Sequence, residues 1–403
     1  MQTRLSWPSM RKFFMDVHLW LGLSSGLIVI AICFSGTVYV WNTELTEWSA
    51  PHLYQVTVPQ GATRIPADSL IQRIKDSTGG VVSSVMIPSE PARTYQFQVK
   101  KPGDSTRGTT YYVNPYTGGI TGTSLEKTRT KAFMANMFSL HRWLLLDKIG
   151  KRELGSAITG WATILFTLGC ITGLLIWFPR KIKNWKQGLK IKFNANWKRV
   201  NHDLHNTLAF YSLIFLLLMG LTGPQWSFTW YRKGMQQTLG TYKPEQPKEK
   251  KGNKEKSEKK STDTVALLAV QDYVRCADSV LPYKGDYTIS FPSESSPAVM
   301  VSKNKRGFFA PAAADRLTLD AATASVKKAD IFRKKPFNER IGGSIKAIHV
   351  GNVYGTFTKI LYFLACLIAT SLPITGTLIW INKLKQRRKK PQQINVVEQA
   401  ASI

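Results

Sequence analysis

Six histidines occur in a chain of 403 residues, and four of them fall at matched places. His18 closes Asp16-Val17-His18 and His205 closes Asp203-Leu204-His205; eighteen residues after each comes a glycine, Gly36 in Ser35-Gly36-Thr37 and Gly223 in Thr222-Gly223-Pro224. His141 and His349 each precede the second long apolar stretch of their half of the chain. Neutral imidazole is a common axial ligand of haem iron. Two histidines at each end of a set of helices, one from each half, form the ligand set that two bis-histidine haems require. The helix face below His18 carries Gly22, Ser25, Gly26 and Val29, and the face below His205 carries Ala209 and Ser212, which leaves room for a flat cofactor. The same small residues let helices pack closely with no cofactor between them, and a single histidine at a helix end is ordinarily an interfacial residue. The pairing by repeat is what favours ligation. His202 shares a helical face with His205, and the match of Asp203-Leu204-His205 to Asp16-Val17-His18 favours His205. His52 has no counterpart and reads as a surface residue. Arg142 and Lys346 stand beside the second pair, either as partners for haem propionates or as ordinary juxtamembrane basic residues.

Four stretches must position these histidines: Val17–Trp41, Ala157–Phe178, His205–Trp230 and Thr356–Ile381, each apolar and nearly free of charge. A helix needs about 20 residues to cross a hydrocarbon core of about 30 Å, and in lipid the backbone must satisfy its own hydrogen bonds. The first stretch is too long for a signal-peptide core and has no clear small-residue cleavage site, so it reads as a retained helix. The net charge of +30 would suggest nucleic acid in a soluble protein; here it has a topological meaning instead, and no nucleic acid is expected. Arg11 and Lys12 precede the first stretch. Arg180, Lys181, Lys183, Lys186, Lys190, Lys192, Lys198 and Arg199 fill the loop between the second and third, and Lys383, Lys385, Arg387, Arg388, Lys389 and Lys390 follow the fourth. The positive-inside rule puts all three segments in the cytoplasm.

The expected organisation is a cytoplasmic N-terminus (1–16), transmembrane helix 1 (17–42) and an outer domain (43–140), then an outer histidine segment with helix 2 (141–178) and a cytoplasmic basic loop (179–204). Helix 3 (205–230), a second outer domain (231–348) with a solvated Lys-rich linker (243–260), an outer histidine segment with helix 4 (349–381) and a basic cytoplasmic tail (382–403) complete it. The halves repeat one another. Ile171-Thr172-Gly173-Leu174-Leu175-Ile176-Trp177 matches Ile374-Thr375-Gly376-Thr377-Leu378-Ile379-Trp380, each segment ending its half. Trp177 and Trp380 read as members of an interfacial aromatic belt. In the first outer domain the pattern predicts a helix over Asp68–Ser77 and strands over Thr94–Lys100 and Thr110–Val113. In the second it predicts a helix over Thr264–Val280 and strands over Tyr287–Phe291, Ala298–Ser302 and Arg316–Leu319. Two small α+β domains are the expectation. The four cysteines form no C-x-x-C, and Cys33, Cys170 and Cys366 read as apolar filler within the helices. Neither a phosphate-binding glycine loop nor a zinc-protease motif occurs.

The chain resembles the PepSY-associated transmembrane helix family over nearly its whole length. The resemblance is carried by Asp16-Val17-His18-Leu19-Trp20-Leu21-Gly22, Tyr112-Val113-Asn114-Pro115-Tyr116-Thr117-Gly118, Leu140-His141-Arg142-Trp143-Leu144, Asp203-Leu204-His205 and the Ile374–Trp380 segment. It implies an internally duplicated four-helix transmembrane bundle in a bacterial inner membrane, with two periplasmic PepSY-like domains. It further implies two b-type haems with His18, His205, His141 and His349 as axial ligands, and reduction of a ferric siderophore or other ferric chelate. Some relatives carry a fused flavin reductase domain; only about twenty residues follow helix 4 here, so the electron donor would be a separate cytoplasmic flavoprotein or a quinol. The turn Asp320-Ala321-Ala322-Thr323-Ala324 lacks the Pro and Gly of its counterpart and departs from the family pattern. The alternative is non-enzymatic: a membrane-anchored PepSY binding or peptidase-inhibitor module with interfacial histidines.

Overall fold

Helices that are apolar on every side cannot stay in water, and this chain folds around four of them. The computed structural model describes residues 7–101, 108–178, 182–244, 267–293 and 297–400. The first half runs α1 (Trp7–Tyr39), α2 (Asn42–Ser49), α3 (Pro51–Tyr54), α4 (Ala67–Thr78), β1 (Val81–Ile87), β2 (Tyr95–Lys100), β3 (Thr109–Val113), β4 (Ile120–Thr123), α5 (Arg129–Trp143) and α6 (Arg152–Trp177). The second runs α7 (Trp197–Thr222), α8 (Thr229–Thr238), α9 (Val270–Val280), β5 (Gly285–Ser290), β6 (Val299–Lys305), β7 (Asp315–Leu319), β8 (Val326–Asp330), α10 (Phe337–Val350) and α11 (Gly355–Ala400).

The spans Ser9–Tyr39, Arg152–Trp177, Trp197–Trp226 and Gly355–Gln386 are long and apolar enough to cross a membrane. At most 33% of the most apolar window of any span is buried within the protein, so the remaining apolar surface needs lipid to cover it. α1 packs on α6 and α11, and α7 packs on the same two helices. All four begin or end beyond the apolar stretches that mark them in the sequence. His18 and His205 therefore lie inside α1 and α7, not at their first residues, because the helices continue through the basic residues that flank the lipid. Asn196 caps α7 by accepting from the Arg199 N–H at 3.0 Å.

The outer segments hold a correction. Instead of two separate α+β domains, the structure has one eight-stranded antiparallel sheet in the order β4-β3-β2-β1-β5-β6-β7-β8. The halves join where β1 meets β5, with Ser84 opposite Ser290 and Val85 opposite Ile289. Each half alone would leave β1 or β5 as an exposed apolar edge, and pairing them removes it. α4 and α9 cover the same face over a single core that includes Leu70, Phe97, Tyr273, Ile289 and Leu317, and Asp68 accepts the Val270 N–H between the two helices. Within this frame β2, β3, β5, β6 and β7 fall where the alternation places them, while β1, β4 and β8 are additional. The second helix is shorter than expected, Val270–Val280; residues 264–266 lie outside the described residues, as do 245–260 of the Lys-rich linker and Arg180 and Lys181 of the basic loop.

Candidate functional site

Four histidines arrive from four different helices and close into two pairs. His18 on α1 and His205 on α7 have ring centroids 6.3 Å apart with planes at 81°. His141 on α5 and His349 on α10 have centroids 6.1 Å apart with planes at 61°. The first pair lies at the end of the bundle away from the sheet, the second at the end beside it. Two imidazoles on opposite sides of one metal ion, with metal–nitrogen bonds of about 2 Å, put their ring centres roughly 6 Å apart.

Each ring is held in the same manner. His18 Nδ1 lies 3.0 Å from the Gly169 carbonyl and 3.2 Å from Thr172 Oγ1. His205 Nδ1 lies 2.9 Å from Thr375 Oγ1, His349 Nδ1 3.0 Å from Thr222 Oγ1, and His141 Nδ1 2.9 Å from the Ile32 carbonyl. A carbonyl can only accept. The threonine hydroxyls spend their own hydrogens on the carbonyls of Leu168, Ser371 and Leu218 in the preceding turn, so they accept too. Every Nδ1 must therefore carry the proton, which leaves Nε2 as a free lone pair, the tautomer that a metal ligand needs.

Behind each ring stands a glycine of the neighbouring helix. A Cβ at Gly173 would lie 3.1 Å from His18 Cε1, at Gly376 3.1 Å from His205, at Gly36 3.2 Å from His141 and at Gly223 3.4 Å from His349. These are the glycines of the repeated Ser/Thr-Gly dipeptides in the sequence. Their role as ring seats was not read there, although the eighteen-residue spacing was the signal that could have shown it. The hydroxyl residue just before each glycine is also repeated, and three of the four hold a ring.

The two pairs sit in different surroundings. A cavity of about 360 Å³ opens among α1, α6, α7 and α11 and is lined by His18 and His205, by Gly22, Gly26 and Ala209, and by neither His141 nor His349. Trp177 and Trp380 line it as well. Trp177 stacks on Phe210 at 4.0 Å and donates to the Gly188 carbonyl, a more specific placement than the aromatic belt expected for it. At the sheet-side pair, Trp226 lies 4.8 Å from the His349 ring. Burial, and for His349 also the neighbouring His141, keep these imidazoles below their ordinary pKa, with His349 pushed down to about 3. Both are thus neutral, as ligation requires.

Among the remaining candidates, His202 is exposed and engages Asp203 and Asn206, although it too lines the cavity beside His205. His52 is exposed and pairs with Glu126 at 2.9 Å. Arg142 stands at the sheet-side pair with its Nε buried and without a partner, while Lys346 is exposed on α10. Arg11, read in the sequence only as a topological charge, has a buried unpartnered Nε at the other end and donates Nη2 to the Ile176 carbonyl at 3.2 Å. No group of three or more His, Cys, Asp or Glu side chains able to hold a metal ion occurs among the described residues, so each pair offers two protein ligands and no more.

The family model described as the PepSY-associated TM region matches residues 15–383. None of the curated proteins matches the chain.

Proposed function

Because the chain belongs to the family of the PepSY-associated TM region, and because a prepared imidazole pair stands at each end of its four-helix bundle, we propose that it is a di-haem b-type electron-transfer protein. On this reading it sits in a bacterial inner membrane and reduces a periplasmic ferric chelate, a ferric siderophore. The observation that carries the reading is the fourfold repetition of one seat: Nδ1 bonded, Nε2 free, a glycine behind the ring, and a partner ring at 6.1 or 6.3 Å. Two protein ligands per site suit a metal whose other positions are filled by a tetrapyrrole. The small residues lining the cavity beside His18 and His205 suit a flat ring, and the unpartnered Nε atoms of Arg11 and Arg142 suit carboxylates that a porphyrin brings with it.

Bound haem would supply a one-electron iron couple at each end of the bundle. The chain's own part is to hold and orient. Thr172, Thr375 and Thr222, with the carbonyls of Gly169 and Ile32, fix the four rings and their tautomer. The basic residues Lys186, Lys190, Lys192, Lys198 and Arg199 between α6 and α7 orient the far pair toward the cytoplasm, where a flavoprotein or a quinol would deliver electrons. The sheet then lies in the periplasm, beside the pair that faces the chelate. Protein purified from haem-replete cells and reduced with dithionite should show sharp low-spin b-type bands, with two haems per chain by pyridine haemochrome. A colourless, stably folded protein would contradict the reading.

A further inference from the structure

Two guanidinium groups gather around one tryptophan ring beside the sheet-side pair. Arg142 lies in the last turn of α5, next to His141. Arg152 opens α6 and lies over the Trp143 ring at 4.1 Å, while Arg142 approaches the same ring at 5.9 Å. Neither takes part in an ion pair among the described residues. Arg142 donates one Nη to the Trp226 carbonyl at 3.3 Å, and its Nε is buried without a partner. Two cations around one ring, with a buried donor of Arg142 left over, cost free energy that an anion would recover.

The arrangement is rigid. Gly155 of α6 packs so closely on the Trp143 backbone that a Cβ there would lie 2.1 Å from the Trp143 carbonyl oxygen. Thr159 Oγ1 donates to the Arg142 carbonyl at 3.0 Å. Trp143 also packs edge-on against Phe138 at 5.4 Å. The end of α5 and the start of α6 are thereby packed tightly on each other, and both arginines stem from that junction.

We propose that Arg142 and Arg152 form a two-arginine clamp that binds a carboxylate at the rim of the His141–His349 pair. The proposal rests on the di-haem reading and assigns a role to Arg152, which the sequence did not single out. The carboxylate has two possible sources, a side chain of the bound porphyrin or the incoming chelate, and both demand the same chemistry from the protein.

Arg152 is exposed, so Arg152→Gln should fold; Arg152→Lys keeps the charge, and Arg142→Lys is the second variant. In purified full-length protein the potential of each haem is followed by spectroelectrochemistry without chelate. The KM and kcat for ferric citrate and for an uncharged ferric trihydroxamate are measured in parallel. If the porphyrin supplies the carboxylate, Arg152→Gln lowers one of the two couples by about a tenfold change in its equilibrium constant, 59 mV for one electron. The other couple stays put, and Arg152→Lys restores most of the loss. If the chelate supplies it, both couples stay put while KM for ferric citrate rises about tenfold at constant kcat, and the uncharged chelate is unaffected. Wild-type protein with both haems, and variants in which neither the couples nor KM move, would overturn the clamp alone. Wild-type protein without haem would overturn the di-haem reading and the clamp with it.

Discussion

The two histidine pairs solve one problem with different materials. His18 and His205 ride on α1 and α7, helices that run through the bundle, and each ring leans on α6 or α11. His141 and His349 ride on α5 and α10, shorter helices outside the spans, and lean back on α1 and on the end of α7. The short helices need sharp stops to present their last turns. α5 ends in Leu144 and Leu145, both at positive φ, 53° and 62°, a backbone that costs a non-glycine residue roughly 1–2 kcal/mol. α10 ends in Gly351 at φ 75°, where a Cβ would also strike the Tyr362 ring at 2.4 Å. Histidines on continuous helices are placed by bundle packing alone. Histidines on short helices depend also on those turns and on the contacts of α5 with α6.

Substitutions at the glycine seats give the largest expected effect on this comparison. Gly376→Val puts a branched side chain where a Cβ alone would stand 3.1 Å from His205 Cε1. The ring must leave its place, and the far-pair haem should be lost while the sheet-side haem is kept. Gly36→Val should do the reverse through His141. Alanine at either site should be milder, since the ring need yield only a few tenths of an ångström. Haem-to-chain ratios across the four variants measure this; loss of both haems from one substitution would break the claim that the ends are independent.

Next in size are the hydroxyls that hold Nδ1. Thr375→Val and Thr222→Val remove the acceptor from His205 and His349 without changing bulk. Losing such an outer partner typically costs 10–100-fold in metal affinity, read as the rate of haem transfer to apomyoglobin. Ser35→Ala should change less, because His141 bonds the Ile32 carbonyl directly, and Ser35 Oγ only shares that carbonyl while it also donates to the Ala31 carbonyl. Equal effects at all three positions would show that the asymmetry in how His141 is held does not matter. Smallest of all, His202→Ala should leave both haems and their spectra unchanged, because the ring is exposed and engaged with Asp203 and Asn206. A lost haem there would move the ligand from His205 to His202.

Much of this architecture was legible in the sequence. The four spans and the pairing of His18 with His205 follow from hydrophobic length and from repeated tripeptides, signals that are local or periodic. The single sheet was not legible. Its seam joins β1 to β5 across about two hundred residues, and the alternation of Val81–Ile87 is broken by a bulge between Val82 and Ser84, so even the strand was hidden. β8 reads Val-Lys-Lys-Ala-Asp and is mostly exposed, a charged edge that carries no apolar signal. The sequence left open whether His141 sits on a segment folded back against the membrane or on an extension of helix 2. The positive φ at Leu144 and Leu145 decides for a separate helix, and no residue preference announces a left-handed leucine.

On the di-haem reading, each end of the bundle holds its own haem between one histidine from each half of the chain. The most direct measurement is the pyridine-haemochrome ratio of haem to protein in the wild type, in His205→Ala, in His349→Ala and in the double variant. The expected ratios are two, one, one and none, with the single variants losing bands of different potential. A wild-type chain without haem, or a single variant that loses both haems, would contradict it.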